Sequence, residues 1–301
     1  KLYINRVFIT DKCDALIPSY LRFIKGLVDT QDIDLNVSRE MLQNNPAVAK
    51  ISKSLVGKIL RELKKVSEKN ADGYKSFWKE YGAVLKEGLY EDAERKEALL
   101  DLCRFSTNEN DDPISLSEYV EKMPEKQKDI YYISAETKDQ ALASPHLEGF
   151  KSKKIPVLIM TDAIDQFWLP MVGSFKEKKF TSITQGQINL DDLDEKNKDK
   201  KKDDKNEKEK KDKEYVDLVA QLKVVLGDQV KDIRLSSKLT DSPVCLVADE
   251  GDMDIAMEQL MAQRDTNYKG APRILEINGD HSLIKNMKSL LSKKENNDLV
   301  S

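Results

Sequence analysis

Between Asp191 and Glu214, 21 of 24 residues are Asp, Glu or Lys, 10 of them Lys and 11 acidic, with one Leu and no aromatic side chain. A run of that composition has no apolar surface to offset the entropy of ordering a core. It divides the chain into two bodies, residues 1–190 and 215–301, each of which must bury its own apolar residues. Acid-before-base pairs at i,i+4, such as Asp204 with Lys208 and Glu209 with Lys213, leave a helix open to the run. Its signs nearly cancel, so it reads as a solvated interdomain linker rather than a nucleic-acid-binding tail.

The same balance holds for the whole chain. Charged residues make up 35% of its 301 residues, yet the net charge is only −4, without the basic excess that nucleic-acid binding needs. Cys13, Cys103 and Cys245 are odd in number and widely spaced, which fits reduced thiols better than disulfides. With His146 and His281 the only histidines, no metal-ligand spacing exists. No apolar run approaches the roughly 18 residues that span a membrane, and no leader is present, so the expected location is the cytoplasm. Lys1 leads straight into a strand-like run, and the sequence reads as a piece excised from a longer chain.

In the first body, Pro18 suits the first turn of a helix burying Ile17, Leu21, Ile24 and Leu27 or Val28. Val48, Ile51, Leu55, Ile59, Leu63 and Val66 recur at intervals of three and four and predict a long helix. Tyr74, Phe77, Trp78, Tyr81 and Leu85 continue the pattern after a break at Asp72-Gly73. Ser115 to Glu118 and Thr137 to Gln140 have the capping-box form, and strand-like runs lie at 130–134 and 156–161. Strand, helix, strand in that order predicts a parallel crossover unit, so this body reads as α/β. After the charged run, Tyr215, Val219, Leu222 and Leu226 predict a helix stopped at Gly227-Asp228. Strand candidates at 230–235, 244–248 and 273–277 surround a helix from Met253 to Gln263, a further helix is expected over 281–292, and the second body reads as small α+β.

Two patches carry candidate chemistry. Ser38 reads as an N-cap, with Met41 and Leu42 anchoring the first turns, Arg39 beside the free N–H groups and Gln43 one turn beyond at i+4. That suits a phosphate, and it equally suits a capped surface helix with a solvated arginine; periodicity does not choose. Met253, Met257, Leu260 and Met261 fall at i, i+4, i+7 and i+8, a narrow apolar face that fits either a core or an exposed surface for apolar segments. Phe167 and Trp168 suit buried aromatics that cap a strand end. No phosphate loop, dinucleotide fingerprint, nucleophile elbow or paired His and Cys occurs, so no independent enzyme is visible.

The segment Asp32-Ile33-Asp34-Leu35-Asn36-Val37-Ser38-Arg39-Glu40 resembles the catalytic loop of the middle domain in the heat-shock protein 90 chaperone family, usually D-L-P-L-N-V-S-R-E. Residues 2–11, 20–29, 130–133, Ser144-Pro145-His146-Leu147-Glu148 and Arg273-Ile274-Leu275-Glu276-Ile277-Asn278 resemble family segments in family order. Asp34 departs from the family's Pro. The resemblance implies an α/β middle domain, a parallel crossover sandwich with a helical segment, over 1–190. It implies the charged linker over 191–214 and a small α+β C-terminal domain over 215–301 that lacks the terminal dimerisation helices. It implies that Arg39 reaches the γ-phosphate of ATP held by an absent N-terminal ATPase domain, supported by Asn36 and Gln43, with Phe8 helping the domains dock. It also implies stress-response chaperone function, with client contact through Met253, Met257, Leu260, Met261, Phe167 and Trp168. The implied partners are unfolded or partly folded clients, the chain's own ATPase domain and co-chaperones, with neither nucleic acid nor membrane. A homodimer is implied for the full-length protein and a monomer or weak dimer for this chain. The competing reading is a non-catalytic scaffold or adaptor built on the same folds.

Overall fold

The computed structural model describes residues 1–33, 42, 44–110, 112–190, 201–265 and 268–292, with side chains described outside 201–212 and 292. Its sheets and helices make an α/β fold, and its contacts divide it into two compact units. The first comprises 1–104, 115–117 and 167–175; the second comprises 105–114, 118–166 and 176–301.

In the first unit, β1 (Leu2–Ile4) turns tightly into β2 (Val7–Thr10) and pairs in parallel with β3 (Val28–Thr30). Asn5 and Arg6 form the turn with φ of 50° and 65°, the left-handed pair a two-residue hairpin requires. Leu2, Ile4, Leu16, Ile33, Leu42 and Val48 close a small core. The helix expected over 17–28 does not form. Only one turn, Ser19–Leu21, is helical, burying Tyr20 and Leu21, while Leu27 is 68% exposed. Val28 to Thr30 take ladder bonds instead, so sheet pairing overrides a spacing that also suits a helix.

Two long helices follow, α1 (Pro46–Lys69) and α2 (Ala71–Glu91). Asn45 caps α1 by accepting from the Ala47 amide at 2.8 Å, with Pro46 in the first turn. The break between the helices falls at Asn70, not at Asp72-Gly73. The Asn70 amide ends α1 on the Val66 carbonyl, and its side chain starts α2 by accepting from the Gly73 amide at 2.9 Å. Phe77 lies 5.2 Å from Phe23 and 5.6 Å from Tyr81, ring centre to ring centre, so the aromatic stripe packs. The short α3 (Lys96–Leu102) completes this stretch.

Further along run β4 (Arg104–Thr107), β5 (Ile114–Ser115), α4 (Leu116–Lys122), β6 (Ile130–Ser134), α5 (Lys138–Leu142), α6 (Glu148–Ser152), β7 (Leu158–Met160), α7 (Asp165–Val172), β8 (Ser174–Phe175) and β9 (Lys178–Ser182). Strands β4, β7, β6 and β9 lie side by side in that order, and β6 is parallel to both neighbours. The β6 to β7 crossover runs through α5 and α6, whose Ala141 and Phe150 bury against Tyr131, Ile133 and Ile159. Thr137 caps α5, accepting from the Gln140 amide at 3.2 Å.

The last stretch begins with α8 (Lys201–Leu226), so the second half of the charged run is helical. The helix stops at Gly227, whose φ of +47° suits glycine, and β10 (Val230–Leu235) starts just beyond. Then come β11 (Val244–Val247), α9 (Ile255–Arg264), β12 (Arg273–Ile277) and α10 (Ser282–Ser292). β12 is central, parallel to β10 and antiparallel to β11. Tyr215, Leu218 and Leu222 of α8 and Ile284 of α10 bury against Ile233 and Ile277.

Candidate functional site

Arg39, Asn36 and Gln43 lie outside the described residues. Their neighbour Leu42 is buried in the first unit's small core. Phe8 stands 53% exposed on β2, braced edge-to-face on Tyr3 at 5.6 Å between ring centres. Phe167 is partly exposed and lies 6.4 Å from Tyr90 in a T-shaped pair. Trp168 is fully buried, 0% exposed, and its indole serves packing rather than surface contact.

The strongest candidate surface lies on α9. Asp254 caps the helix, accepting from the Ala256 amide at 3.0 Å, so Met253 sits just before the cap instead of inside the helix. Met253 and Met261 are each 37% exposed, and Met257 and Leu260 are partly exposed. The one residue that α9 buries is Glu258, at 5% exposure. Its carboxylate accepts from Arg273 Nη2 at 2.6 Å and from the Ala271 amide at 3.0 Å. The apolar stripe is therefore not the face that roots this helix. Polar contacts root it, including Thr184 Oγ1 to Asp254 at 3.0 Å and Gln263 Nε2 to Glu136 at 3.0 Å.

Away from the methionines, α9 borders two clefts of about 310 Å³ and 600 Å³ that share Ala135, Glu136, Gln259 and Gln263. The smaller also takes in Leu260, Met160 and Gln166. Their described lining residues include no Lys or Arg, and Glu136 and Asp162 give the smaller cleft acidic character. In the smaller cleft Leu260 and Met160 offer apolar contact beside the carboxamides of Gln166, Gln259 and Gln263, which can bond main-chain groups. Among the described residues no group of His, Cys, Asp and Glu could hold a metal, and no helix is long and apolar enough to cross a membrane.

A buried polar cluster lies behind this surface. Glu276, 2% exposed, accepts from Arg234 Nη2 at 2.8 Å and Ser236 Oγ at 2.9 Å, and Lys238 Nζ stands 3.8 Å away. Lys238, 1% exposed, also donates to the Ile183 carbonyl at 3.0 Å. Arg234 donates to the Gly186 carbonyl at 2.6 Å, so residues 183–186 are tied to the β10–β12 sheet. Burial pushes the Lys238 ammonium below the usual lysine range, opposed by Glu276. It also pushes the Cys245 thiol up to about 12, which makes an unreactive thiol. Glu148 accepts from the Thr240 and Asp241 amides, each at 2.8 Å, and from the Ser242 amide and hydroxyl. Burial raises its carboxyl, but those donors outweigh burial and hold it below the usual range. Periodicity could not foresee this cluster; the one local signal was a lone Glu276 inside the apolar run 274–277.

The family described as Hsp90 protein matches residues 1–301, so the chain belongs to the Hsp90 family. It is 47% identical over 284 residues to the Chaperone protein HtpG of Roseobacter denitrificans, covering 94% of this chain and 45% of that protein. It is 43% identical over 307 residues to HtpG of Wolbachia pipientis wMel, covering 98% and 47%. It is 41% identical over 288 residues to HtpG of Streptomyces coelicolor, covering 95% and 44%. The chain thus spans a little under half the length of the relatives it matches.

Proposed function

We propose that this chain is the client-binding part of an ATP-dependent chaperone, holding unfolded or partly folded polypeptides on Met253, Met257, Leu260 and Met261, with Phe167 as a further contact. The observation that carries the reading is the inversion on α9, which buries a glutamate and leaves its methionines at the surface. Hydrophobic burial ordinarily orients an amphipathic helix, so an apolar stripe held outward is available surface. Membership of a family whose relatives are named chaperones supports it. The catalytic half of the proposal rests on sequence: Arg39, with Asn36 and Gln43, contacts the γ-phosphate of ATP held by a domain outside this chain, and Phe8 aids docking. An arginine supplied from another domain is worth about 10³ to 10⁵ in rate in well-studied phosphoryl transfers.

Met257→Glu combined with Met261→Ser tests the client face. Light scattering from a heat-aggregating client should show protection reduced several-fold while the chain's own melting temperature moves by no more than about 3 °C, since partly exposed side chains lose little on becoming polar. A buried methionine would instead cost about 2–5 kcal/mol on truncation, so a large fall in melting temperature with protection intact would return the stripe to the core.

A further inference from the structure

Resting on the client-binding reading, we infer that Glu258 is the positioning residue of the methionine surface: its buried pairing with Arg273 fixes the rotation of α9 and keeps the apolar stripe from turning inward. Helical residues step by about 100°, so Met257 and Met261 lie to one side of Glu258 and Leu260 lies farther round toward the opposite face. Anchoring Glu258 therefore places all three. The anchor is built: Glu258 Oε2 meets Arg273 Nη2 at 2.6 Å, and Oε1 takes the Ala271 amide at 3.0 Å. The chain before β12 passes so close that a Cβ on Gly270 would stand 3.2 Å from Glu258 Oε2. Both ionic side chains are largely shielded, 6% exposed for Glu258 and 22% for Arg273, so water screens the pair weakly.

Physical competition explains why such a residue is needed. On α9 Met257 and Met261 still have apolar surface to gain from burial, and rotating the helix toward its sheet would bury them. That rotation would strip Glu258 of both donors and leave Arg273 unpaired, so the ion pair opposes the collapse that hydrophobicity favours. The pair is a device of orientation more than of stability.

The two roles separate on replacing the pair. Glu258→Leu with Arg273→Leu removes both charges and leaves only the amide of the exposed Ala271 without its side-chain acceptor, and replacing a buried pair by apolar residues is often neutral or stabilising. In the 301-residue chain, affinity for fluorescently labelled, reduced and carboxymethylated α-lactalbumin should fall about tenfold or more. Oxidation of Met257 and Met261 by dilute peroxide should slow as they turn inward, and the melting temperature should hold or rise. Unchanged affinity with unchanged oxidation would overturn the inference, as would loss of cooperative melting, which would make the pair a requirement of the fold. The exchange Glu258→Arg with Arg273→Glu keeps the pair and should restore affinity to within about threefold of the parent; failure to do so also counts against the inference. Met257→Glu with Met261→Ser in the parent chain separates the premises. If it leaves affinity intact, the client-binding reading fails; if it abolishes affinity while the double leucine variant does not, only the positioning role fails.

Discussion

Glu276→Ala should be among the most damaging single substitutions in the second unit. The carboxylate is 2% exposed and receives Arg234 through Nε at 3.0 Å and Nη2 at 2.8 Å, with Ser236 Oγ at 2.9 Å. Deleting it leaves the Lys238 ammonium, 1% exposed, bonded to the neutral Ile183 carbonyl at 3.0 Å. Removing one partner of a buried pair costs about 3–5 kcal/mol, because the surviving charge has neither water nor counter-ion. Arg234 suffers less, being 22% exposed in its side chain and still bonded to the Gly186 carbonyl. Lys238→Met is the informative contrast. It keeps most of the apolar stem, leaves Glu276 with Arg234 and Ser236, and orphans only the Ile183 carbonyl, at about 1–3 kcal/mol. The double variant Glu276→Ala with Lys238→Met should then cost clearly less than the sum of the singles, since no buried ammonium remains to be orphaned. Urea unfolding followed by far-UV circular dichroism gives the three values, and hydrogen exchange at β10 and β12 localises the loss. Additivity within about 0.5 kcal/mol, or Lys238→Met costing as much as Glu276→Ala, would refute the reasoning.

Two further outcomes follow from the same geometry and sequence. Burial first, then the nearby Lys238 and Arg273 charges, lower the His146 pKa to about 4, against the opposing pull of Glu276 and Glu148. Unfolded, the ring titrates near 6.5, so between about pH 6.5 and 4 the unfolded chain binds a proton that the folded chain refuses. Stability present above pH 6.5 is lost as pH falls, by about 3 kcal/mol in full. Urea midpoints at pH 7 and pH 4.5 should converge more closely in His146→Gln than in the parent, and equal acid losses would contradict the assignment. In a chain carrying its own ATP-binding domain, Arg39→Ala should lower turnover strongly with ATP affinity nearly unchanged, and Arg39→Lys should not rescue it because the planar fork is lost. Normal turnover in Arg39→Ala would remove the residue from the reaction.

What the sequence conveyed, it conveyed through local pattern. Val230 to Leu235 and Arg273 to Ile277 are strands at the expected residues, and Ser282 to Ser292 is helical within one residue of the expected span. Apolar runs bounded by Gly, Pro and Asp carry that information in the chain itself. The segment 17–28 misled because Leu21, Ile24 and Val28 also fit a helical stripe, while the strand that pairs with Val28, β1, lies more than twenty residues away. Glu276 and Lys238 form an ion pair that no periodicity reveals, since residues 183–186 complete the network from outside the sheet. The phosphate reading of Arg39 falls outside the described residues and stays where the sequence left it.

The direction of the methionine helix is the sharpest case, because there the usual rule points the wrong way. Apolar residues at i, i+4, i+7 and i+8 ordinarily mark the buried face, and Glu258 inside that segment reads as solvent-exposed. Arg273 reverses this by arriving from fifteen residues downstream at the first position of β12, a strand whose own placement depends on the Glu276 cluster. Arg234 pairs with Glu276 both across the β10–β12 ladder and through their side chains, so the register that seats Glu276 also sets the height at which Arg273 meets α9. Disturbing Glu276 should therefore loosen the Glu258 anchor without touching it. Glu276→Gln, which keeps shape and hydrogen bonding but removes charge, should speed hydrogen exchange in β12 and in α9 together, whereas Met257→Glu with Met261→Ser should leave β12 exchange as it was. Faster exchange in β12 with α9 unaffected would show that the helix is held independently of the sheet behind it.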